Sequence, residues 1–404
     1  MNNSFPMNLK SKFRILQKEN FCYLDSAAST LSPDCVVKAM NEYYYDYRAN
    51  LHSNIYPNAV KTNQKYLESK QIIADFIGAK RWEEIIITKN STDGINQLAL
   101  MLSDNLEKGD EIILSYGEHH SNLLIWQRVA ERKGVIIKYV DINQGIIKEE
   151  DYLTLITSKT KIVALTHISN VLGTLLNLDK IIKKAHLNQA LVVLDSCQSI
   201  AHIPIDVTQQ DIDFMVFSGH KLYGPTGVGV LYGKYKLLQN LIPNQLGGGM
   251  VSRVNYNSYQ LTTIPERFEA GTPSIAEVIG LARAISFVQK IGFDTIMEDE
   301  KSLMAYAIQE LGRRKYITIY GSQDYLYRKT LISFNIKGIH QHDIAQILAD
   351  DGICVRVGFH CAEPLAKLLN INGSVRISFG IYTTKQDLEI FFNSLDKVYK
   401  IFCI

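Results

Sequence analysis

The chain contains 404 residues, of which 46% are hydrophobic and 21% are charged. Its 43 Lys and Arg residues nearly balance its 41 Asp and Glu residues, so the net charge of +2 argues against binding to nucleic acid or to an anionic membrane. No apolar run is long enough for a transmembrane helix or a secretory signal, and six cysteines are too few for a disulfide scaffold. We therefore expect a cytoplasmic protein with reduced thiols.

Seven short apolar runs predict the strands of one sheet. They cover residues 83–88, 110–115, 135–140, 161–169, 190–195, 213–218 and 227–232. Most are continuously apolar, which is typical of strands buried on both faces of a parallel sheet, and helical segments lie between several of them. Only residues 219–226 join the last two runs, too few for a parallel crossover, so the seventh strand is predicted to be antiparallel.

The pattern changes after about residue 262. Helices are predicted at 276–291, 301–314, 342–352 and 385–400, and strands at 329–336, 353–358 and 374–380. The sequence thus predicts an α/β fold with a mostly parallel seven-stranded sheet and a smaller α+β C-terminal domain. We place the large domain at 22–290 and the small domain at 291–404, and we expect the N-terminal segment 1–21 to pack on the small domain.

Polar residues follow five of the predicted strands. Ligands bind beyond the carboxyl ends of the strands in open α/β sheets, so these residues are expected to converge on one rim. They are Ser91 and Thr92, His119 and His120, Asn170, Asp195 and Gln198, and Ser218, His220 and Lys221. Each is a weak signal alone, whereas their convergence predicts a site.

Lys221 and Asp195 suggest the chemistry of that site. A lysine directly after a buried strand can sit in a desolvated pocket, where a lowered pKa frees the amine for Schiff-base formation. Asp195, at the end of a neighbouring strand, fits the partner of the protonated ring nitrogen of pyridoxal 5'-phosphate (PLP). The simpler interpretations are a surface lysine on a turn and an aspartate that caps a helix.

The other strand-end residues fit the same cofactor. Ser91 and Thr92 open a predicted helix and offer hydroxyl and backbone N–H groups to a phosphate, although N-capping is an alternative. Ser218 and His220 add donors from the opposite side, and His119 is either a ring-stacking or a structural residue. No C-x-x-C or H-E-x-x-H spacing indicates a metal site, and we interpret His340 and His342 as a solvated helix start.

The cysteines differ in their surroundings. Cys22 and Cys354 lie in apolar strand-like runs and are interpreted as packing residues, whereas Cys35, Cys197 and Cys403 have no clear role. Cys361 lies on a predicted loop beside His360 and before a helix, where a thiolate can be reactive.

Nine sequence strings together resemble PLP-dependent cysteine desulfurases. They are YLDSAAST, NSTDGIN, GEHHSN, THISNVLGT, VVLDSCQS, VFSGHKLYGPTGVGVLYG, RFEAGTPS, RVGFHCAEPL and VRISFGIYTT, and they run from Tyr23 to about Tyr382. The resemblance is closer to the type II, SUF-system enzymes, and selenocysteine lyases share the pattern. It implies fold type I and a homodimer with active sites at the interface. It also implies L-cysteine as the substrate, a persulfide on Cys361 and a sulfur-acceptor protein that feeds iron–sulfur cluster assembly.

The resemblance also implies a role for each site residue. Lys221 matches the lysine bound covalently to the cofactor, Asp195 the ring-nitrogen partner, and Cys361 the sulfur-accepting nucleophile. The residues that match other cofactor contacts are His119 on the ring, Gln198 at the phenolic oxygen, Thr92, Ser218 and His220 at the phosphate, and Thr272 at the phosphate of the other subunit. Those that match substrate contacts are Asn170, Arg376 and His52.

Two segments depart from the family pattern. Members usually carry H-R-G-x-H at the mouth of the site, where this chain has His52, Ser53, Asn54, Ile55 and Tyr56. Members also tend to have two histidines before the cysteine, where this chain has Phe359 and His360. Neither change affects the expected cofactor pocket.

Three other functions remain open at this stage. A selenocysteine lyase differs in its relative turnover of selenocysteine and cysteine. An aminotransferase has no use for Cys361. A non-catalytic scaffold for sulfur assembly would have no need of Lys221, Asp195 and Cys361 together.

Overall fold

A computed structural model describes residues 9–51, 53–142 and 145–402 of the chain. Its strands are β1 (Cys22–Tyr23), β2 (Ile85–Thr88), β3 (Glu111–Ser115), β4 (Ile136–Val140), β5 (Thr160–Thr166), β6 (Leu191–Asp195), β7 (Phe214–Ser218), β8 (Gly229–Gly233), β9 (Val251–Asn255), β10 (Ser258–Leu261), β11 (Ile317–Tyr320), β12 (Leu331–Ile336), β13 (Ile353–Cys354), β14 (Arg356–Gly358) and β15 (Ser374–Ser378). Its α-helices are α1 (Asp34–Glu42), α2 (Pro57–Phe76), α3 (Ser91–Ser103), α4 (Leu124–Lys133), α5 (Glu149–Leu155), α6 (Asp179–Leu187), α7 (Tyr235–Leu238), α8 (Ile275–Ile291), α9 (Phe293–Arg313), α10 (Gln341–Asp350), α11 (Glu363–Leu368) and α12 (Lys385–Phe402).

The seven predicted strands form one sheet in the order β2-β8-β7-β6-β5-β3-β4. Strands β3 to β7 pair in parallel with their neighbours, whereas β8 runs antiparallel to both β7 and β2. The predicted α/β sheet and its antiparallel strand are therefore confirmed. The register places Asp195 between Thr166 and Val216, so the ends of three parallel strands lie side by side.

Both faces of this sheet are buried, as the continuously apolar runs predict. Successive residues of one strand pack into different cores: Val192 and Leu194 lie in one cluster of buried side chains, and Val193 lies in another. The first core includes residues of α8, such as Val278, and the second includes residues of α3, such as Leu98. Helices on both faces leave the carboxyl ends of the strands as the accessible edge.

A second sheet, ordered β11-β12-β15-β14, is antiparallel and packs against α10 and, through a contact between the rings of Phe334 and Phe391, against α12. The predicted strand at 353–358 is in fact two short strands. β13 pairs in parallel with β1, whereas β14 pairs with β15 of the second sheet. A single apolar run does not reveal that its two halves have different partners, because those partners are distant in sequence.

Phe13 anchors the N-terminal segment. Its ring is fully buried and makes edge contacts with the rings of Tyr223, Phe287 and Tyr382. Across the described ranges, no helix is long and apolar enough to cross a membrane.

Candidate active site

A cavity of about 230 Å³ opens at the carboxyl ends of the large sheet. Most of the predicted site residues line it: Ser91, Thr92, His119, Asn170, Asp195, Gln198, Ser218, His220, Lys221, Cys361 and Arg376. The residues that follow the strands therefore lie around one cavity. Thr272 is exposed and does not line this cavity, and His52 lies outside the described residues.

A tight turn after β7 holds Lys221 in the cavity. Gly219, the first residue of this turn, has no room for a side chain, since a Cβ atom there would lie 2.8 Å from a methyl group of Val228. The carbonyl oxygen of His220 accepts hydrogen bonds from the backbone N–H (2.8 Å) and hydroxyl (2.9 Å) of Thr30. The turn is thus fixed from both sides, and Lys221 is half-buried rather than on the open surface.

Asp195 ends β6 with a buried carboxylate. Its Oδ1 accepts a hydrogen bond from the backbone N–H of Cys197 at 3.0 Å, and its carbonyl accepts one from His167 at 3.0 Å. The first bond orients the carboxylate and the second holds the backbone of a residue that lines the same cavity as Lys221. The segment that follows Asp195 is a turn and not an α-helix, so the helix-cap alternative is excluded.

Helix α3 directs its N-terminus at the cavity. Asn90 is its N-cap and accepts a hydrogen bond from the backbone N–H of Asp93 at 2.9 Å. Ser91 and Thr92 are therefore the first helical residues and not the caps. The hydroxyl of Ser218 accepts from the backbone N–H of Ser91 and donates to its hydroxyl, both at 2.9 Å. A helix N-terminus lined by hydroxyl groups is a favourable site for a phosphate.

Two histidines of the cavity are held neutral. Burial and the nearby Lys221 lower the pKa of His119 to about 4, and the same causes lower the pKa of His220 to about 4. Nδ1 of His119 accepts the backbone N–H of Ser121 at 3.2 Å, so its proton is on Nε2. A neutral imidazole can lie against an aromatic ring without adding charge to it.

Arg376 and Asn170 line the cavity together and contact each other. Arg376 is only 2% exposed, and its Nη1 donates to the carbonyl oxygen of Asn170 at 2.8 Å. Among the described residues, Asp25 is its only carboxylate partner, at 3.4 Å, and the buried Arg376 Nε and Asn170 Oδ1 have no hydrogen-bond partner. Burial lowers the pKa of Arg376 to about 10, which still leaves it cationic near neutral pH. A buried cation with unused donors fits the carboxylate of a bound ligand.

Cys361 reaches the cavity from the loop between β14 and α11. Of the five cysteines in the described ranges, it alone is exposed. Cys197 also lines the cavity, but burial and the neighbouring Asp195 raise its pKa to about 12, so it remains a thiol. Burial raises the pKa values of Cys22 and Cys354, in agreement with their interpretation as packing residues.

Several lining residues were not assigned from the sequence, and Arg356 and His360 are the two that carry ionisable groups near Arg376. Arg356 lies in β14, and the only signal was a charged residue within an apolar run. His360 is buried, its Nε2 lies 3.0 Å from the hydroxyl of Ser374, and its Nδ1 has no partner. Burial and the nearby Arg376 lower its pKa to about 3, so it is neutral as well.

No group of three or more potential metal ligands occurs in the described part of the chain. His340 caps α10 by accepting the backbone N–H of His342 at 3.3 Å, as expected for a solvated helix start.

The residues present fit PLP. An anion site at the start of α3, a buried carboxylate and a lysine line one cavity, which is also lined by Arg376 with its unpartnered Nε donor. These are the groups that a phosphate, a ring nitrogen, an aldehyde carbon and an amino-acid carboxylate require.

Comparisons with known proteins agree with this arrangement. A family model described as aminotransferase class-V matches residues 22–391. A probable cysteine desulfurase from Halalkalibacterium halodurans is 40% identical over 400 residues, which cover 98% of each chain. A protein of the same name from Pyrococcus abyssi is 40% identical over 380 residues, which cover 94% of each chain.

Solved structures are equally similar. The apo cysteine desulfurase from Thermococcus onnurineus NA1 has 37% identity and a TM-score of 0.95, with 99% of each chain covered. The cysteine desulfurase CsdA from Escherichia coli has 36% identity and a TM-score of 0.92, with 99% of this chain and 100% of that chain covered. The fold type I architecture is thereby confirmed, and the chain belongs to the aminotransferase class-V family.

Proposed function

We propose that this protein is a PLP-dependent cysteine desulfurase, which converts L-cysteine to L-alanine and leaves a persulfide on Cys361. The observation that carries the proposal is the placement of Lys221, Asp195 and an exposed cysteine around one cavity. Relatives named cysteine desulfurase that match nearly the whole chain support it.

Each part of the cofactor has a partner in the cavity. Lys221 would hold PLP covalently, Asp195 would keep its ring nitrogen protonated, and the ring of His119 would lie against the cofactor ring. Gln198 would bind the phenolic oxygen. The phosphate would lie among Ser91, Thr92, Ser218 and His220. When bound, PLP supplies an electron sink for the pair released at the substrate Cα.

The chain's own residues carry out the remaining steps. Arg376 and Asn170 bind the substrate carboxylate and fix the orientation of its Cα. The Nζ atom of Lys221 takes the Cα proton. The Sγ atom of Cys361 attacks the substrate sulfur as a thiolate, and the electron pair of the broken Cβ–S bond stays with the substrate carbons. Protonation of Cβ completes alanine, and the sulfur remains on Cys361.

Incubation with L-cysteine tests this function, with alanine and protein-bound persulfide assayed together. We expect both products in equal amounts in the first turnover. Transamination without persulfide would indicate an aminotransferase, and a much faster turnover of selenocysteine would indicate a selenocysteine lyase. A protein that binds no PLP and releases no alanine would be a scaffold. As a control, Lys221→Ala should lose the Schiff-base absorbance and the activity together.

The length of the cysteine loop supports the type II subclass. Only Phe359–Ala362 separate β14 from α11, and a chain spans at most about 3.6 Å per residue, so Cys361 stays close to the cavity. A sulfur acceptor must therefore bring its own thiolate to Cys361. We infer that this acceptor serves iron–sulfur cluster assembly and that the enzyme acts in the cytoplasm.

If the protein belongs to the type II subclass, removal of the sulfur from Cys361 should limit its turnover. Persulfide formation in a single turnover should be much faster than steady-state turnover with cysteine alone, because removal of the sulfur is limiting. A cognate acceptor protein should raise the steady-state rate severalfold. Equal rates and no effect of an acceptor would contradict the short-loop argument.

The domain division and the assembly are part of the same proposal. We place the large domain at 22–290 and the small domain at 291–404. The described part of the N-terminal segment begins at residue 9, and its Phe13 contacts Tyr223 and Phe287 of the large domain and Tyr382 of the small domain. We also propose a homodimer in which Thr272 reaches the phosphate of the other subunit. Thr272 is exposed and is not among the residues that line the cavity of its own chain, which supports this arrangement.

A further inference from the structure

The loop that carries Cys361 has a strained backbone. His360 and Cys361 are adjacent residues with φ angles of +53° and +56°. This left-handed region is disfavoured for residues with a Cβ atom, and such strain persists only where surrounding contacts enforce it. The contacts that hold the loop therefore decide where the Sγ atom lies.

Contacts from three elements hold the first half of the loop. The side-chain N–H of Asn170 donates to the carbonyl oxygen of His360 at 2.6 Å. Nε2 of His360 pairs with the hydroxyl of Ser374 at 3.0 Å, and the backbone N–H of Ala362 donates to Phe359 at 2.9 Å. None of these bonds involves Cys361 itself.

His120 holds the second half of the loop from both sides of the cysteine. Its backbone N–H donates to the carbonyl oxygen of Cys361 at 2.8 Å, and its Nε2 accepts the backbone N–H of Glu363 at 3.2 Å. Glu363 is the first residue of α11, and the preceding residue, Ala362, offers no side-chain cap. The imidazole therefore replaces the missing cap from a segment that is 243 residues distant in the chain.

We propose that His120 is a positioning residue for the sulfur-transfer step. His120 directly follows His119, the residue that we place against the cofactor ring. One short turn therefore contacts the cofactor through His119 and the loop that carries Cys361 through His120. The position of Cys361 relative to the cofactor is thereby set by adjacent residues. This proposal rests on the proposed desulfurase function, but its structural part can be measured without it.

Substitutions of His120 separate the hydrogen bond from the bulk of the side chain. His120→Leu removes the acceptor for Glu363, whereas His120→Gln keeps an acceptor oxygen at a similar reach. We expect His120→Leu to speed amide exchange in a peptide spanning 359–366 by about fivefold, since one hydrogen bond is lost. Single-turnover persulfide formation should slow by about fivefold or more, because the nucleophile is less well placed.

His120→Gln should return both quantities to within about twofold of the wild type. The PLP absorbance should be the same in all variants, since His119 and Lys221 are intact. Should His120→Leu fail to fold, His120→Asn serves instead, because its shorter amide does not reach Glu363. His340→Leu is the matched control: it removes an equivalent imidazole-to-backbone cap at α10 and should leave the exchange of the 359–366 peptide unchanged.

Two results would overturn the proposal. One is wild-type exchange and wild-type persulfide formation in His120→Leu. The other is a defect in His120→Gln as large as that in His120→Leu, which would mean that the hydrogen bond is not what matters. If the wild-type protein itself forms no persulfide, the desulfurase function is wrong, and the exchange rates alone decide whether His120 clamps the loop.

Discussion

Two cysteines line the same cavity, but their surroundings give them different chemistry. Cys197 is buried, and burial together with Asp195 raises its pKa to about 12, so it is a poor nucleophile. Cys361 is exposed at the mouth of the cavity and lies before the first residue of α11. Residue type alone does not distinguish them, whereas exposure and neighbouring charge do.

Replacement of Cys361 by serine should stop sulfur transfer while leaving cofactor binding intact. We expect Cys361→Ser to keep the PLP absorbance, form no persulfide and lose nearly all alanine release, since a serine hydroxyl is no thiolate. Mass spectrometry of the protein after cysteine treatment measures the bound sulfur. Cys354→Ala, seven residues earlier, should behave as the wild type. If activity survived in Cys361→Ser but not in Cys354→Ala, the assignment of Cys361 as the nucleophile would be wrong.

The residues that sequence reasoning identified share one property. Asp195, Ser218 and Lys221 lie at strand ends, and the geometry of parallel sheets brings such positions together. Residues that support them could not be found in this way. Asp25 faces Arg376 across 351 residues of sequence, and His120 faces Glu363 across 243 residues. Such pairs arise from the packing of distant segments, which no local pattern reveals.

The start of α3 depends on a close approach between two elements. Gly229 of β8 lies so near the N-cap residue Asn90 that a Cβ atom would be 2.5 Å from the Asn90 Cα. Backbone atoms cannot move aside as a side-chain end can. Any side chain at position 229 must therefore displace the helix N-terminus that we assign to the cofactor phosphate.

Gly229→Ala should weaken PLP binding. Overpacking of this kind costs about 1–3 kcal/mol, so we expect the dissociation constant for PLP to rise by about fivefold or more. Titration of the apoprotein with PLP, followed by absorbance, measures it. Gly312→Ala in α9 is the control, because no heavy atom lies within 4 Å of the added Cβ and the helix interior favours alanine. Unchanged affinity in Gly229→Ala would place the phosphate elsewhere.

Prediction of the elements succeeded where hydrophobicity and connection length determine them. Continuous apolar runs identified the large sheet, and the short link at 219–226 identified its antiparallel strand. The hairpin of β9 and β10 escaped notice, because its residues are mostly exposed and show no apolar alternation. A strand that is not buried leaves little trace in the sequence.

At the scale of the whole molecule, buried histidines make the stability depend on pH. His167 is fully buried beside Ser199, and burial lowers its pKa to about 4 from an ordinary value of 6.5. The unfolded chain therefore binds a proton at this residue before the folded one does. The folded state loses stability as the pH falls from about 6.5 towards 4. The lowered pKa values of His119, His220 and His360 act in the same direction.

His167→Gln should reduce this pH dependence. In the wild type, His167 should lower the free energy of unfolding by about 2 kcal/mol when the pH falls from 7.5 to 5. Glu118 acts in the opposite direction, since burial raises its pKa to about 7. Comparison of the variant with the wild type by denaturant unfolding at both pH values cancels that contribution. His342→Gln, at an exposed position, should not change the slope. An unchanged slope in His167→Gln would mean that His167 has the same pKa in the folded and unfolded states.

Assembly is the last feature at this scale, and Thr272 offers a direct test of it. Thr272 is exposed and does not line the cavity of its own chain, so we expect it to contact the phosphate bound by another copy. Thr272→Val should weaken PLP binding by about tenfold, as expected for loss of a hydrogen bond to a charged group. Lys221→Ala should abolish activity outright. Neither variant alone can form a complete site.

A mixed dimer of these two variants should regain one complete site. The subunit that keeps Lys221 would receive an intact Thr272 from the Lys221→Ala subunit, so half of the sites should recover wild-type affinity for PLP. Coexpression with two different affinity tags isolates the mixed dimer, and activity at limiting PLP measures the recovery. The two homodimers are the controls. If Thr272 acted within its own chain, the mixed dimer would show no recovery, and a fully active monomer in sedimentation would exclude a shared site altogether.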